Sequence, residues 1–448
     1  MKMDEFIPKL FEAAKEAGFG VAEAYVLEDE SFKVVAMNGE ITQYSSHQTR
    51  GLGLRAVLDG RMGYAATEAF DDAAIAQLIR GAKDSATYCE DESEQFIYDG
   101  REPVLQLSLT GEDARAEDKI AFALDMERIA KAYDPRIAQV GYDTVVTGKV
   151  KVRIINTHGM DKQYEQSVCG AYLQPIARED ALTSTGMEIR FARDFSALDA
   201  TALAQAAARQ AVEMLGATPV PSGSYRVAIL NLAMTDLLET FSPAFSAENA
   251  QKALSLLRGK EGETVAAPCV TIIDDALRAD AFGSRPFDAE GVPSRRNAVV
   301  EQGVFKTFLH NLKTAKKDGV QSTGNASKGG YAGSVRVSPT NFYLEAGEKS
   351  LDELLADIGE GLLITEVEGL HAGANAVSGD FSLLSKGFVV EGGKKGRAVE
   401  QITIAGNFFE MLKGVQAVGS DLRFPSGGFG APTVDVGVLS VAGTEEKA

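Results

Sequence analysis

Two dipeptides constrain the fold of this chain more than any other feature. Asn38-Gly39 separates Phe32–Met37 from Glu40–Ser46, and Asp59-Gly60 separates Arg50–Leu58 from Arg61–Ala66. A two-residue type I′ hairpin turn needs positive φ at both central positions, and Asn or Asp followed by Gly supplies it at low steric cost. With alternating apolar residues on either side, the pairs dictate neighbouring antiparallel strands, and Ala22–Leu27 reads as another strand before them. Helices bracket this meander. From Asp4 to Ala17, residues Phe6, Ile7, Leu10, Phe11 and Ala14 share one face and Gly18 ends the pattern; Asp71 to Ala86 reads as a second helix. Residues 1–88 are therefore expected to form a helix, β-meander, helix unit.

The order then repeats. Residues 89–113 are acidic and weakly periodic, as in a linker. A helix is expected over Asp118–Tyr133, strands near Gln139–Thr147, Lys149–Asn156, Lys162–Val168, Gly170–Arg178 and Ser184–Phe191, and an alanine-rich helix over Leu198–Leu215. These make a second α+β unit, 114–216; its self-similarity to the first is too weak to establish a duplication. Residues 217–223, rich in proline and glycine, read as a linker.

From residue 224 to 448 the pattern mixes short helices with many short strands: Asn297–Val300, Val304–Leu309, Val335–Ser338, Asn341–Glu345, Gly387–Glu391, Glu400–Ile404, Val415–Leu422 and Val434–Val441. So many strands between turn signals predict a mixed, curled or barrel-like sheet. The fold class is α+β, with two N-terminal helix/β-meander/helix units and a C-terminal β-rich domain. At its start, Tyr225–Leu230 reads as a buried strand. It runs into Leu237–Asn249, where Ser242-Pro243 reads as an N-cap and first helical residue and Ala247 to Leu257 as a long helix stopped by Gly259.

Charge and cysteine use narrow the function classes. A formal net charge of -19 offers no basic face for phosphates, so direct nucleic-acid binding is not expected. No apolar run approaches the ~20 residues that span a bilayer, and the N-terminus has no signal-peptide core, which points to a cytoplasmic protein. Cys89, Cys169 and Cys269 are odd in number and far apart, fitting reduced small hydrophobes better than a disulfide framework or a metal ribbon.

The residues of hydrolytic chemistry are missing in pattern. His47, His158, His310 and His371 are isolated, none is followed by glutamate, and HExxH, GxSxG and nucleotide-binding glycine signatures are absent. The segment 237–249 carries Glu239, Thr240, Ser242 and Ala244 but no histidine or cysteine. His371 lies in a polar, glycine-rich loop that continues through Asn375, Ser378 and Asp380; such loops either line sites or make tight Asx turns. His310 is expected to act as a structural cap. Asp274-Asp275 and Asp288/Glu290 are cation candidates, with solvent-facing loop acids as the plainer reading. A metal-free hydrolase using Glu239 or Asp380 with His371 has no support in the spacing.

Several segments in order resemble the TldD/PmbA family, once called modulators of DNA gyrase. They are Arg50-Gly-Leu-Gly-Leu-Arg55, Phe287 to Arg296 (FDAEGVPSRR), Val304 to Lys317 (VFKTFLHNLKTAKK), Ser322-Thr-Gly-Asn325, Gly369 to Phe381 (GLHAGANAVSGDF), Thr403-Ile-Ala-Gly-Asn407 and Val436 to Gly443. The likeness runs through nearly the whole chain. It implies a pairing of two related subunits, of which the TldD type holds zinc through HExxxH and a late cysteine. Aligned on Leu237-Leu238, the histidine slots fall here on Glu239 and Ala244 and the general-base slot on Thr240, and no cysteine follows Cys269. The resemblance thus implies a PmbA (TldE)-type subunit that binds no cofactor and has no catalytic residue of its own. Zinc is expected on a TldD-type partner, and activity only in the heterodimer. The chain would help form a chamber for extended or unfolded peptides, with His371, Asn375, Ser378, Asp380 and Asn407 as candidate lining. The alternative is a stand-alone homodimer that binds peptides or assists assembly without hydrolysis; a gyrase-binding regulator rests on the old family name alone.

Overall fold

The computed structural model describes residues 1–88 and 96–444. Cys89 and residues 90–95 of the expected linker lie outside the described residues. Helix α1 (Met3–Glu16) leads to strands β1 (Val21–Met37), β2 (Glu40–Leu58) and β3 (Arg61–Thr67), then α2 (Asp72–Thr87). After α3 (Ala116–Tyr133) come β4 (Ile137–Asn156), β5 (Asp161–Glu179), β6 (Leu182–Thr185), β7 (Glu188–Ala192) and α4 (Ala200–Glu213). Both expected hairpin turns form, with Asn38 and Gly39 at φ 56 and 76 and Asp59 and Gly60 at φ 50 and 77.

The strands are longer than local pattern suggests. Ala22–Leu27 and Phe32–Met37 are one strand, as are Glu40–Ser46 with Arg50–Leu58, Gln139–Thr147 with Lys149–Asn156, and Lys162–Val168 with Gly170–Arg178. The polar residues that seemed to interrupt them find partners across the sheet: Glu28 pairs with Arg50 at 3.1 Å, Glu30 accepts from Gln48 at 2.7 Å, and Glu165 pairs with Lys149 at 2.8 Å. Conversely, Ser184–Phe191 divides at Gly186, where a Cβ would lie 2.2 Å from the Ala207 carbonyl oxygen of α4. The sheet order is β3-β2-β1-β4-β5-β6, with β7 also on β5, so pairing of β1 with β4 makes one antiparallel sheet of the two meanders.

Strand alternation assigns the two faces of this sheet. Ala22, Ala24, Val26, Leu52, Leu54 and Ala56 pack under α1 and α2, while Val34, Ala36, Val140, Val145 and Leu173 pack under α3 and α4. On the opposite face Tyr25, Val152 and Ile154 join Phe287, Ala289 and Ala326 of the C-terminal part. The segment from Phe96 to Arg115 has no regular structure, but Ile97 and Leu109 are buried along it.

The C-terminal part opens with β8 (Gly223–Ile229), α5 (Asn231–Phe241), a 3-10 turn (Ser242–Phe245) and α6 (Ala247–Gln251), followed by β9 (Ile272–Asp275), β10 (Arg296–Glu301), β11 (Val304–Phe305), α7 (Leu312–Asp318), β12 (Ala326–Ser327), β13 (Arg336–Val337) and β14 (Phe342–Leu344). It closes with α8 (Leu351–Ile358), β15 (Gly361–Glu368), α9 (Leu370–Gly373), β16 (Asp380–Glu391), β17 (Lys394–Asn407), α10 (Phe408–Gly414), β18 (Ala417–Val418), β19 (Arg423–Ser426), β20 (Phe429–Ala431) and β21 (Val434–Ala442). Strands β8, β15, β16, β17 and β21 close into a five-stranded barrel, because β21 pairs with both β8 and β17. A second sheet runs β11-β10-β9-β14-β20-β19. One apolar core joins the two, and Leu237, Leu238 and Phe241 of α5 and Phe408 of α10 sit within it, with Phe241 stacked on Phe408 at 4.5 Å.

Several local expectations are corrected here. The helix after Tyr225–Leu230 starts at Asn231, and Ser242 is no N-cap: its hydroxyl donates to the Glu239 carbonyl at 2.8 Å, prolonging α5 into the 3-10 turn. The helix expected to reach Leu257 ends at Gln251, because Ala253 adopts φ 59. Val304–Leu309 keeps only two residues as strand and Val415–Leu422 only Ala417–Val418. His310 is not a cap; the side chain of Asn311 caps α7 in a capping box with Thr314. Cys169 is buried as expected, but Cys269 is exposed, in a loop tied to α10 by the Ala267 N–H donating to the Leu412 carbonyl.

Candidate functional site

Helix α5 carries Glu239 and Thr240 and the 3-10 turn after it carries Ala244, the three slots singled out in the sequence, and their side chains do not form a ligand set. Glu239 is on the exposed face, with partial desolvation raising its carboxyl above the usual range. The Thr240 hydroxyl donates to the Asp236 carbonyl at 2.7 Å, one turn back along the helix. Ala244 is fully buried and presents only a methyl group. A zinc ion takes nitrogen, sulfur or carboxylate donors from three or four groups. One carboxylate, one internally engaged hydroxyl and one methyl do not fit it. Among the described residues no three His, Cys, Asp or Glu side chains come together as a metal-holding group.

Of the five residues expected to line a chamber, the fold brings four together. Ser378 donates to Asp380 Oδ2 at 2.8 Å, Asn407 Nδ2 donates to the Ser378 carbonyl at 2.8 Å and to Asp380 Oδ1 at 2.9 Å, and Asn375 Oδ1 accepts from the Val377 N–H at 2.9 Å. Asn407 also caps α10, accepting from the N–H groups of Phe409 and Glu410. The hydrogen bonds from Asn407 and Ser378 hold the Asp380 carboxyl below its ordinary range. These side chains are spent on closing a tight turn between α9 and β16 and tying it to the end of β17. His371 stands apart, exposed on the single turn of α9, so the loop around it is partly helical.

The cation candidates face inward, contrary to the expectation of solvated loops. Asp274 accepts from the Thr340 N–H at 2.6 Å and from Asn325 Nδ2 at 2.7 Å, and Asp275 from the Leu277 N–H at 2.9 Å. Asp288 accepts from the N–H groups of Glu290, Val292 and Ala326, and Glu290 from Arg55 and the Leu312 N–H. Asp274, Asp288 and Glu290 are all buried, their oxygens already engaged by donors that shape loops.

Periodicity missed an opening between the two halves of the chain. A cavity of ≈ 500 Å³ lies between α4 and the β6–β7 turn on one side and the start of α5 with β15 and β16 on the other. Met187, Leu232 and Phe388 form its apolar wall, and Asp236, Glu366 and Lys386 its polar one. Burial, with the charges of Glu239 and Glu366, pushes Asp236 up to about 6. Its carboxyl can therefore exchange a proton near neutral pH. No motif marks this site, because its residues come from separate segments scattered between Gln174 and Lys395.

With this geometry in hand, comparison with known proteins is direct. Three domain profiles match in order: PmbA/TldA metallopeptidase domain 1 over residues 22–86, the central domain over 110–215 and the C-terminal domain over 222–443. A crystal structure of a Thermotoga maritima protein named as a modulator of a DNA gyrase superposes with a TM-score of 0.92 at 36% identity, covering 98% of this chain and 100% of that one. Among sequences, a metalloprotease PmbA homolog of Haemophilus influenzae is 28% identical, covering 93% of this chain and 90% of its own length. The metalloprotease TldD homolog of the same organism is 26% identical, covering 97% and 95%. Overall identity hardly separates the two kinds of relative.

Proposed function

We propose a function from one premise: the chain belongs to the PmbA/TldD metallopeptidase family. Within that family it acts as the PmbA (TldE)-type subunit of a cytoplasmic two-subunit protease that degrades or matures unfolded peptides. It closes the substrate chamber, and a TldD-type partner bearing HExxxH binds the zinc that activates water for peptide hydrolysis. The observation that carries this reading is the chemistry of Glu239 and Thr240 on α5 and Ala244 in the turn after it, which do not make a zinc ligand set.

Substrate is recognised as an added strand, through backbone hydrogen bonds that place little demand on sequence. The long antiparallel sheet supplies edges of that kind. Asn375, Ser378, Asp380 and Asn407 shape the rim, and exposed His371 is the member of that loop placed to meet a peptide.

The test is purification of the full chain from its native host, metal analysis, and proteolysis of an unfolded fluorescent casein with and without the co-purifying HExxxH-bearing subunit. The expected result is no stoichiometric zinc and no turnover alone, with turnover on addition of the partner. Chelator-sensitive proteolysis by the pure chain would overturn the assignment.

A further inference from the structure

A smaller cavity of ≈ 190 Å³ lies where the N-terminal sheet meets the C-terminal part. Tyr25, Val152 and Tyr164 floor it, and Arg285, Asp288 and Lys328 project from the opposing loops. Neither cation is in a direct ion pair among the described residues, although Asp288, in the same lining, feels the charge of Arg285 and Glu23 that of Lys328. Arg285 Nε is buried with no acceptor, and Nη2 reaches only the Gly324 carbonyl, at 3.4 Å. Lys328 Nζ has the Tyr331 carbonyl at 3.4 Å and the Tyr25 ring at 4.6 Å.

The neighbouring carboxylates do not meet this need. Asp288 is engaged by three backbone N–H donors and Glu23 by Arg55, and neither bonds Arg285 or Lys328 directly. A buried guanidinium N–H left without an acceptor is costly, and the cavity beside it can be completed by an anion. Consistent with that, burial and the charge of Arg55 push Lys328 down to about 8.

We propose that this cavity binds one small oxyanion, a carboxylate or a phosphate, clamped between Arg285 and Lys328 against the rings of Tyr25 and Tyr164. Two sources share this chemistry: the C-terminal carboxylate of a peptide and free inorganic phosphate. The site is independent of the subunit assignment above, since it needs neither a partner nor turnover.

The experiment is isothermal titration of the isolated full chain with acetyl-trialanine as the free acid, with the same peptide as its amide, and with inorganic phosphate. Saturable one-to-one binding of the acid but not the amide identifies a peptide terminus; saturable binding of phosphate alone identifies a free anion. In either case Arg285→Gln and Lys328→Gln, checked by circular dichroism for wild-type folding, weaken binding at least about tenfold, as loss of a charge-assisted hydrogen bond does. No saturable binding of either anion by the wild-type chain overturns the proposal, and that reading needs no variant to fold. Equal binding of acid and amide, or binding unchanged in both folded variants, overturns it too.

Discussion

Arg55 Nη1 donates to Glu290 Oε1 at 3.0 Å, linking strand β2 to a loop 235 positions further along the chain. Its Nε donates to Glu23 of β1 at 2.7 Å, and all three side chains are buried. Arg55 lies on the same face of β2 as Gly51 and Gly53, while Leu52 and Leu54 point the other way, into the core beneath α1 and α2. The run Arg50-Gly-Leu-Gly-Leu-Arg55 thus has one face for packing helices and one for docking the C-terminal part.

Breaking that triad strands buried charge. Arg55→Met leaves Glu23 and Glu290 facing each other without the guanidinium that bonds both, and should destabilise the protein by about 3–5 kcal/mol. Arg55→Met combined with Glu23→Gln and Glu290→Gln should recover much of the loss. Urea denaturation of the three proteins measures both effects.

The two glycines should differ in their tolerance of a methyl group. At Gly53 a Cβ would lie 1.9 Å from the Tyr331 backbone oxygen, which cannot move without the loop; at Gly51 it would meet the Tyr331 ring, which can turn. Gly53→Ala should cost about 1–3 kcal/mol and Gly51→Ala less. Protease sensitivity of the 328–335 segment should rise in the first variant and hardly change in the second.

Asp143 is fully buried, with neither carboxylate oxygen hydrogen-bonded, and burial together with the charge of Glu127 pushes it up to about 8. The neutral acid is favoured in the folded state. Its contribution is therefore fully present below the unfolded carboxyl value near 4, declines as pH rises and is lost above about 8. Wild-type stability should fall between pH 4 and 8 by an amount of the order of a few kcal/mol that Asp143→Asn does not share. Parallel melts of both proteins across that range check the difference in slope.

Asn407 has two structural duties, capping α10 and tying Asp380 to Ser378. Asn407→Ala should cost about 1 kcal/mol or somewhat more through the lost cap alone. It should also raise the Asp380 pKa towards its ordinary value, since Asn407 is the larger of the two influences holding it down. Carboxyl NMR titration reads the second effect. An unmoved Asp380 would separate the cap from the turn.

Restoring the zinc slots should fail for a reason of packing. Ala244 is fully buried in the main core, so Ala244→His inserts a polar ring where a methyl fits, at a cost of about 2–4 kcal/mol. The triple variant Glu239→His, Thr240→Glu, Ala244→His should melt well below the wild type and hold no stoichiometric zinc, as measured by calorimetry and metal analysis.

Much of the fold was legible in particular residues. Asn38-Gly39 and Asp59-Gly60 turn where they must, and the apolar stripe from Phe6 to Ala14 is the buried face of α1. The strand lengths were not legible, because Glu28 and Glu30 look like loop residues until Arg50 and Gln48 lie beside them. In the candidate loop, Asn375, Ser378, Asp380 and Asn407 do converge, but on one another; the spacing alone left open whether such residues line a site or close a turn. Asp236, Arg285 and Lys328 gave no signal, since nothing local distinguishes a cation or acid facing water from one facing a cavity.

What the sequence alone determined is therefore whatever depends on a few neighbouring residues: turn geometry, helix faces, and the kinds of donor atom available at Glu239, Thr240 and Ala244. The tertiary structure decided which charges are paired directly, as when Arg55 bonds two glutamates while Arg285 and Lys328 each reach only a carbonyl oxygen. The physical reason is range. Backbone dihedral preferences act within a residue or two, whereas burial and charge pairing depend on what folding brings across hundreds of positions.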